Sequence, residues 1–419
     1  MFEAIISLIF LVVAIAIGTI FKKNTGIVSI ALALILARIT GISDSELIKT
    51  FNSSLFIMLL GVMYLFCIAQ DNNTLEIIAK KAVLLCKGKV KLIPIVLFVL
   101  SAVISAIGPG LISTTALISV LAIALATETK VEPINFMLFG SLGAFAGGLS
   151  PITPSGIVAI TISEASGITG VELPVALFMF LVMLLMAVIL YFFVFKWHKY
   201  KETENATCNL EDKTEFKLQH LATIIGIVLV AVISTVFSVN VGLISFVVAV
   251  ILTICGFANE KNAMQKISWN TLIMITGVGI LISLVTKLGG IDLLSDGISL
   301  LMGEQTASAI ITVLAGVMSW VSSASGVVMP TLIPTVPDLV ATVGNVNPIA
   351  LVTGICVGAN VAAFSPLSSC GGLMLAAYST SKIATPEGRN KTFAQLFLFS
   401  AICIAVTAVL ALIGCFNIF

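Results

Sequence analysis

The chain has 419 residues, of which only 10% are charged and 59% are apolar, and its mean hydropathy is +1.19. A soluble chain of this length would carry roughly a quarter of its residues as charges. So little polar surface cannot cover a water-soluble globule, and lipid is the expected solvent for most of the chain. A net charge of +1 gives no basis for a nucleic-acid partner.

Apolar stretches long enough to cross a bilayer run at about 4–20, 26–41, 53–70, 133–165, 171–196, 221–237, 240–257, 268–286, 346–379 and 393–418. Met-Phe-Glu-Ala at the start lacks a basic signal-peptide region, so the first stretch reads as a retained span. Two further apolar stretches, 91–127 and 306–342, are interrupted by Gly108-Pro109-Gly110 and by Ser322-Ser323-Ala324-Ser325-Gly326. Each reads as a re-entrant hairpin. The polar stretch 198–220 reads as a solvated connector, and the Asn205-Ala206-Thr207 sequon on it as accidental. The expected fold is therefore an all-α polytopic membrane protein with about ten spans and two hairpins.

Of the 21 lysines and arginines, all but Arg38, Lys49 and Lys287 fall on one side if both termini lie outside. The positive-inside rule makes the crowded side cytoplasmic, with the 198–220 linker there. The membrane is expected to be the cell membrane.

The chain also resembles itself at an offset of about 215 residues. Pro133-Ile134 matches Pro348-Ile349, Gly143-Ala144 matches Gly358-Ala359, Ser150-Pro151 matches Ser365-Pro366, and Gly61-Val62 faces Gly277-Val278. Five crossings per half is an odd number, so repeats 1–197 and 221–419 insert upside down relative to each other. In each repeat the order is scaffold spans, hairpin, broken span (133–165 or 346–379) and closing span (171–196 or 393–418).

The broken spans carry GGLSPITPSG from Gly147 to Gly156, and AAFSPLSSCGG from Ala362 to Gly372. Proline removes a hydrogen bond and crowds the preceding turn, so the backbone should unwind there. Unwinding at membrane depth frees groups that need a ligand, water or protein partner. Helix N-termini near Ser155-Gly156 and Gly371-Gly372 suit a carboxylate. Carbonyls and hydroxyls of Ser150, Thr153, Ser365 and Ser368 suit a hard monovalent cation such as sodium. Small residues and prolines also serve plain helix packing, but matched breaks in both repeats favour a binding site.

No carboxylate or histidine lies near a bilayer centre, which favours a bound cation over a titrating relay. HExxH, GxSxG and P-loop patterns are absent, so neither an enzyme nor an organic cofactor is expected. The eight cysteines are scattered and read as apolar fillers.

GGLSPITPSG, following the hairpin SAIGPGLISTTAL, resembles the ion-transporter superfamily, specifically the divalent-anion/sodium symporters and the malonate-type dicarboxylate carriers. The resemblance implies sodium-coupled symport of a small organic anion by an elevator-type homodimer. The family's hairpin-tip Ser-Asn-Thr signature maps onto Ser105 to Pro109 and onto Ser323-Ala324-Ser325, with both asparagines absent. Its Pro-Pro-Asn ending is missing from the second broken span. The breaks and the resemblance together give a substrate set of Pro109, Gly110, Thr153, Ser155, Gly156, Ser325, Gly326, Ser369 and Gly371. The cation set is Ser105, Gly108, Gly148, Ser150, Ser322, Ser323, Asn360, Ser365 and Ser368. Rival readings are an exchanger or exporter of another anion, such as gluconate, lactate or an oxyanion, and a channel-like or non-transporting protein of the same fold.

Overall fold

A computed structural model describes residues 1–84, 89–197, 215–237, 239–381 and 384–419. Most of the linker, the Asn205 sequon, His198, Cys86 and Cys208 lie outside the described residues. The first half runs through α1 (Phe2–Ile20), α2 (Thr25–Thr40), α3 (Asp44–Lys49), α4 (Ser53–Asp71) and α5 (Thr74–Leu84). It continues with the hairpin helices α6 (Ile93–Ala106) and α7 (Gly110–Thr129), then α8 (Pro133–Gly147), α9 (Pro154–Ala165) and α10 (Glu172–Ile189). The second half repeats this order: α11 (Leu218–Phe237), α12 (Val241–Ile254), α13 (Glu260–Lys266), α14 (Trp269–Lys287) and α15 (Gly290–Ser299). Its hairpin is α16 (Ala307–Val321), α17 (Met329–Leu332) and α18 (Val336–Val343), followed by α19 (Pro348–Val361), α20 (Ser369–Thr380) and α21 (Pro386–Leu412). Among the described residues, seven helical segments are long and apolar enough to cross a membrane, and shorter apolar helices accompany them.

The two halves interlock through two close glycine crossings. Gly61 of α4 meets Gly242 of α12 so closely that a Cβ on either would collide with the facing backbone, and Gly26 of α2 meets α14 at Gly277 in the same way. Gly26 and Gly242 occupy equivalent positions, as do Gly61 and Gly277, so each repeat supplies one partner to each crossing. Small residues let helix backbones approach where lipid offers no hydrophobic drive. The helix starts match too: the Asn24 side chain accepts from the amides of Gly26 and Ile27, and that of Asn240 from those of Gly242 and Leu243.

Centrally, α8 and α19 are buried almost all round, as uniformly apolar helices must be. Gly143 and Gly147 seat α8 on the backbone of α6, and Gly354 and Gly358 seat α19 on α16. Where the two broken spans cross, Phe145 stacks on Phe364, with ring centroids 4.2 Å apart. By contrast α10 and α21 keep many large apolar side chains exposed, as suits lipid contact.

Helix α6 has 14 residues and α16 has 15, so they rise about 21 and 22 Å, short of a ~30 Å hydrocarbon core. Each chain then turns back. The first tip needs left-handed backbone at Gly108 (φ +142) and Gly110 (φ +70), which glycine adopts without strain. The second tip is built differently. A π turn over Ala324–Val328 leads into a broken return in which Pro330, Pro334 and Pro337 divide α17 from α18.

Candidate functional site

The sequence breaks emerge as helix ends. In the first broken span α8 stops at Gly147 and α9 starts at Pro154, where proline's missing amide hydrogen is no loss. Thr153 caps α9: its Oγ1 accepts the Gly156 amide at 3.1 Å and donates to the carbonyls of Gly148 (2.8 Å) and Ser150 (2.7 Å). The second break begins α20 at Ser369, earlier than the Gly371-Gly372 expected, with Ser368 Oγ donating to the Ala363 carbonyl at 2.8 Å. Gly156 lies against the Ser150 carbonyl and Gly371 against the Ser365 carbonyl; a Cβ at either would collide. Each half-helix thus starts directly beneath the carbonyls released by the other half of its span.

Between the repeats lies a small cavity. It gathers Ser155, Ser322, Ser323, Ser325, Asn360, Ser368 and Ser369, all expected at the site from sequence. Leu111, Ile112, Ser319, Ala363 and Cys370 complete much of the wall. Leu111 and Ile112 belong to the first turn of α7, Ser155 to that of α9, and Ser369 and Cys370 to that of α20. Three helix N-termini therefore converge on one cavity that no charged side chain lines among the described residues. Each presents a partial positive charge of about half a unit.

Several hydroxyls are already engaged. Ser322 Oγ donates to the Met318 carbonyl at 2.7 Å, Ser323 caps the Gly326 amide at 3.1 Å, and the Asn360 amide nitrogen donates to the Cys356 carbonyl at 2.8 Å. Ser319 Oγ, by contrast, is buried at the cavity without a hydrogen-bond partner. Sequence reasoning missed it, although it lies one helical turn before Ser322 and Ser323, a spacing that would have put it on their face.

The remaining expected residues lie elsewhere. Gly148, Ser150 and Thr153 form a compact knot at the first break, and Ser105 Oγ, at the end of α6, is buried and unpartnered. Gly108 and Pro109 face a second cavity, shared with Phe66, Cys67, Gln70, Pro154, Lys266 and Ser268. A third, larger one opens beside Pro330 and Pro334 and is lined by Thr50, Asn52, Gly279, Ile282, Ser283 and Thr286.

These two outer cavities are related by the repeat. Phe66 and Ile282, Cys67 and Ser283, Gln70 and Thr286, Lys266 and Thr50, and Ser268 and Asn52 are each 216 residues apart. One cavity opens toward the face that carries the ends flanking residues 198–214, the linker face, and the other toward the opposite face.

Residues 1–148 match the family model described as dicarboxylate carrier protein MatC N-terminus. A sequence comparison with curated proteins gives no significant match. Among solved structures, the Alcanivorax borkumensis YdaH transporter, whose crystal structure is described as revealing an unusual topology, is similar with a TM-score of 0.58 and 13% identity. The similarity covers 89% of this chain and 88% of that one. The chain is thus similar through its first 148 residues to the N-terminal part of a dicarboxylate carrier family, and through most of its length to the fold of a solved transporter.

Proposed function

We propose that the protein is a secondary transporter that carries a small organic anion, a dicarboxylate such as malonate or succinate, coupled to sodium. The observation that carries this reading is the convergence of the α7, α9 and α20 N-termini on a hydroxyl-lined cavity without a charged side chain. Such a site stabilises a carboxylate through backbone amides and helix dipoles. The family description matched by residues 1–148 supports the dicarboxylate. The carbonyls of Gly148 and Ser150 and the buried, unpartnered Ser105 hydroxyl offer hard oxygens of the kind sodium prefers.

The hairpins and broken spans, α6–α9 and α16–α20, move in this reading as one body past the glycine-locked scaffold of α1–α4 and α11–α15. Support comes from the two symmetry-related outer cavities of unequal size, which suit a site exposed to one face at a time. The larger cavity lies on the side opposite the linker, and charge counting places the linker in the cytoplasm, so the conformation reads as outward-facing. Assembly as a homodimer rests on the sequence resemblance.

The test is uptake of labelled malonate, succinate and citrate into proteoliposomes, with and without an inward sodium gradient, by wild type and by Ser155→Ala and Ser325→Ala. Sodium-dependent uptake of one acid, weakened in both variants, is the expected result. Counterflow indifferent to sodium would replace symport with exchange. No uptake of any of the three by folded protein would remove the dicarboxylate.

A further inference from the structure

We propose that Lys266 is an anion-gathering residue of the linker-face cavity, held in reserve by Asp71, and that it gives the two mouths of the carrier different affinities for the same carboxylate. The inference rests on the anion-carrier reading above. Lys266 lines the cavity that reaches the first hairpin tip at Gly108-Pro109 and the start of α9 at Pro154. Among the described residues lining this cavity, its counterpart and the central one, Lys266 carries the only charge.

Its Nζ donates to Asp71 Oδ1 at 2.9 Å, while Asp71 Oδ2 accepts the Asn259 amide at 3.1 Å. The Asp71 side chain is 12% exposed and that of Lys266 is 40% exposed. Asp71 is therefore fixed at the end of α4 by α13, whereas the lysine head remains accessible to solvent. With its lysine partner 40% exposed, the pair is screened by solvent on one side, which lowers its net worth. A carboxylate entering the cavity can take over the ammonium hydrogen bond while Asp71 keeps the Asn259 amide. Glu260 and Lys261, the other charges at the start of α13, line a separate surface depression with Trp269.

The repeat makes the asymmetry specific. The counterpart of Lys266 is the neutral Thr50. Asp71 corresponds to Lys287, which pairs with Glu46, and both of those side chains are about half exposed and lie outside the opposite cavity. A fixed cation at a cavity mouth concentrates anions there and speeds their capture. Among the described residues that line the two mouths, Lys266 alone supplies one.

The experiment uses the full chain in a cysteine-free background carrying Gln70→Cys or Thr286→Cys, exposed counterparts on the two cavities. Each is reacted with a sulfonate and with a trimethylammonium thiol reagent of equal size. Lys266→Gln is expected to shift the sulfonate-to-ammonium rate ratio at position 70 about tenfold toward the cation, and Asp71→Asn to shift it toward the anion. The ratio at position 286 should stay fixed in both and rise in Thr50→Lys. In oriented vesicles carrying the acid that wild type transports, Lys266→Gln should raise the linker-face KM about tenfold, leave the opposite face unchanged, and be rescued by Lys266→Arg.

An unchanged ratio at position 70 in Lys266→Gln overturns the proposal, and so does a KM that rises equally on both faces. If no dicarboxylate is transported, the labelling ratios still decide the role of Lys266, so loss of the substrate assignment is distinguishable from loss of this inference.

Discussion

Removing the Thr153 hydroxyl while keeping its shape should loosen the first turn of α9 and weaken the central cavity with it. Thr153 is fully buried. In Thr153→Val the Gly156 amide loses its cap, and the Gly148 and Ser150 carbonyls lose their shared donor. A lost N-cap costs about 1 kcal/mol, and stranding buried backbone groups adds about 1–2 kcal/mol. The sum of about 2–3 kcal/mol corresponds to a roughly 30- to 100-fold shift toward a frayed α9 start, at 1.4 kcal/mol per decade. Hydrogen exchange at Gly156 and Ile157 in detergent measures it directly. Transport should show a raised KM, because Ser155 and its neighbouring amides line the cavity. Thr153→Ser keeps both roles of the oxygen and should restore both readouts. Exchange in Thr153→Val no faster than in wild type would refute the assignment of the cap.

Two further outcomes are expected. Gly242→Ala places a methyl group into the α4 backbone and should cost about 1–3 kcal/mol, read as a lowered thermal midpoint, whereas Gly297→Ala, with open space around its Cβ, should stabilise α15 by about 0.5–1 kcal/mol. Ser319→Ala removes a buried hydroxyl that has no partner, so the empty protein should be no less stable. The same variant should raise the substrate KM several-fold, because the hydroxyl faces the cavity; an unchanged KM would remove Ser319 from the site.

Much of the architecture was legible in the chain because each signal is local. Gly147 to Gly156 and Ala362 to Gly372 cannot continue a helix; α8, α9 and α20 stop or start within those stretches, and α19 stops at Val361, one residue before the second. The second hairpin breaks within the expected Ser322–Gly326 run, but the shape of its return is not local: prolines at 330, 334 and 337 act on one another's turns, and the resulting π turn and short helices depend on that combination. Ser319 stands outside the glycine-serine run and carries no break signal of its own, so only the helical face one turn before Ser322 marks it. Lys266 was counted only as a topological charge, since nothing in its neighbourhood ties residue 266 to Gly108 or Asp71.

By itself, then, the sequence determined that the chain lives in lipid, that it is doubled, and where its backbone must break. Composition, internal offset and proline chemistry act over a few residues or over the chain as a whole, so no contact had to be known. Only the tertiary structure decided which breaks share a cavity: the α7, α9 and α20 starts come together, while Gly108 and Pro109 face the linker side. It also decided which glycine meets which, Gly61 with Gly242 and Gly26 with Gly277. These are relations between segments up to hundreds of residues apart, fixed by the packing of one helix backbone on another, and a pattern read along the chain does not contain them.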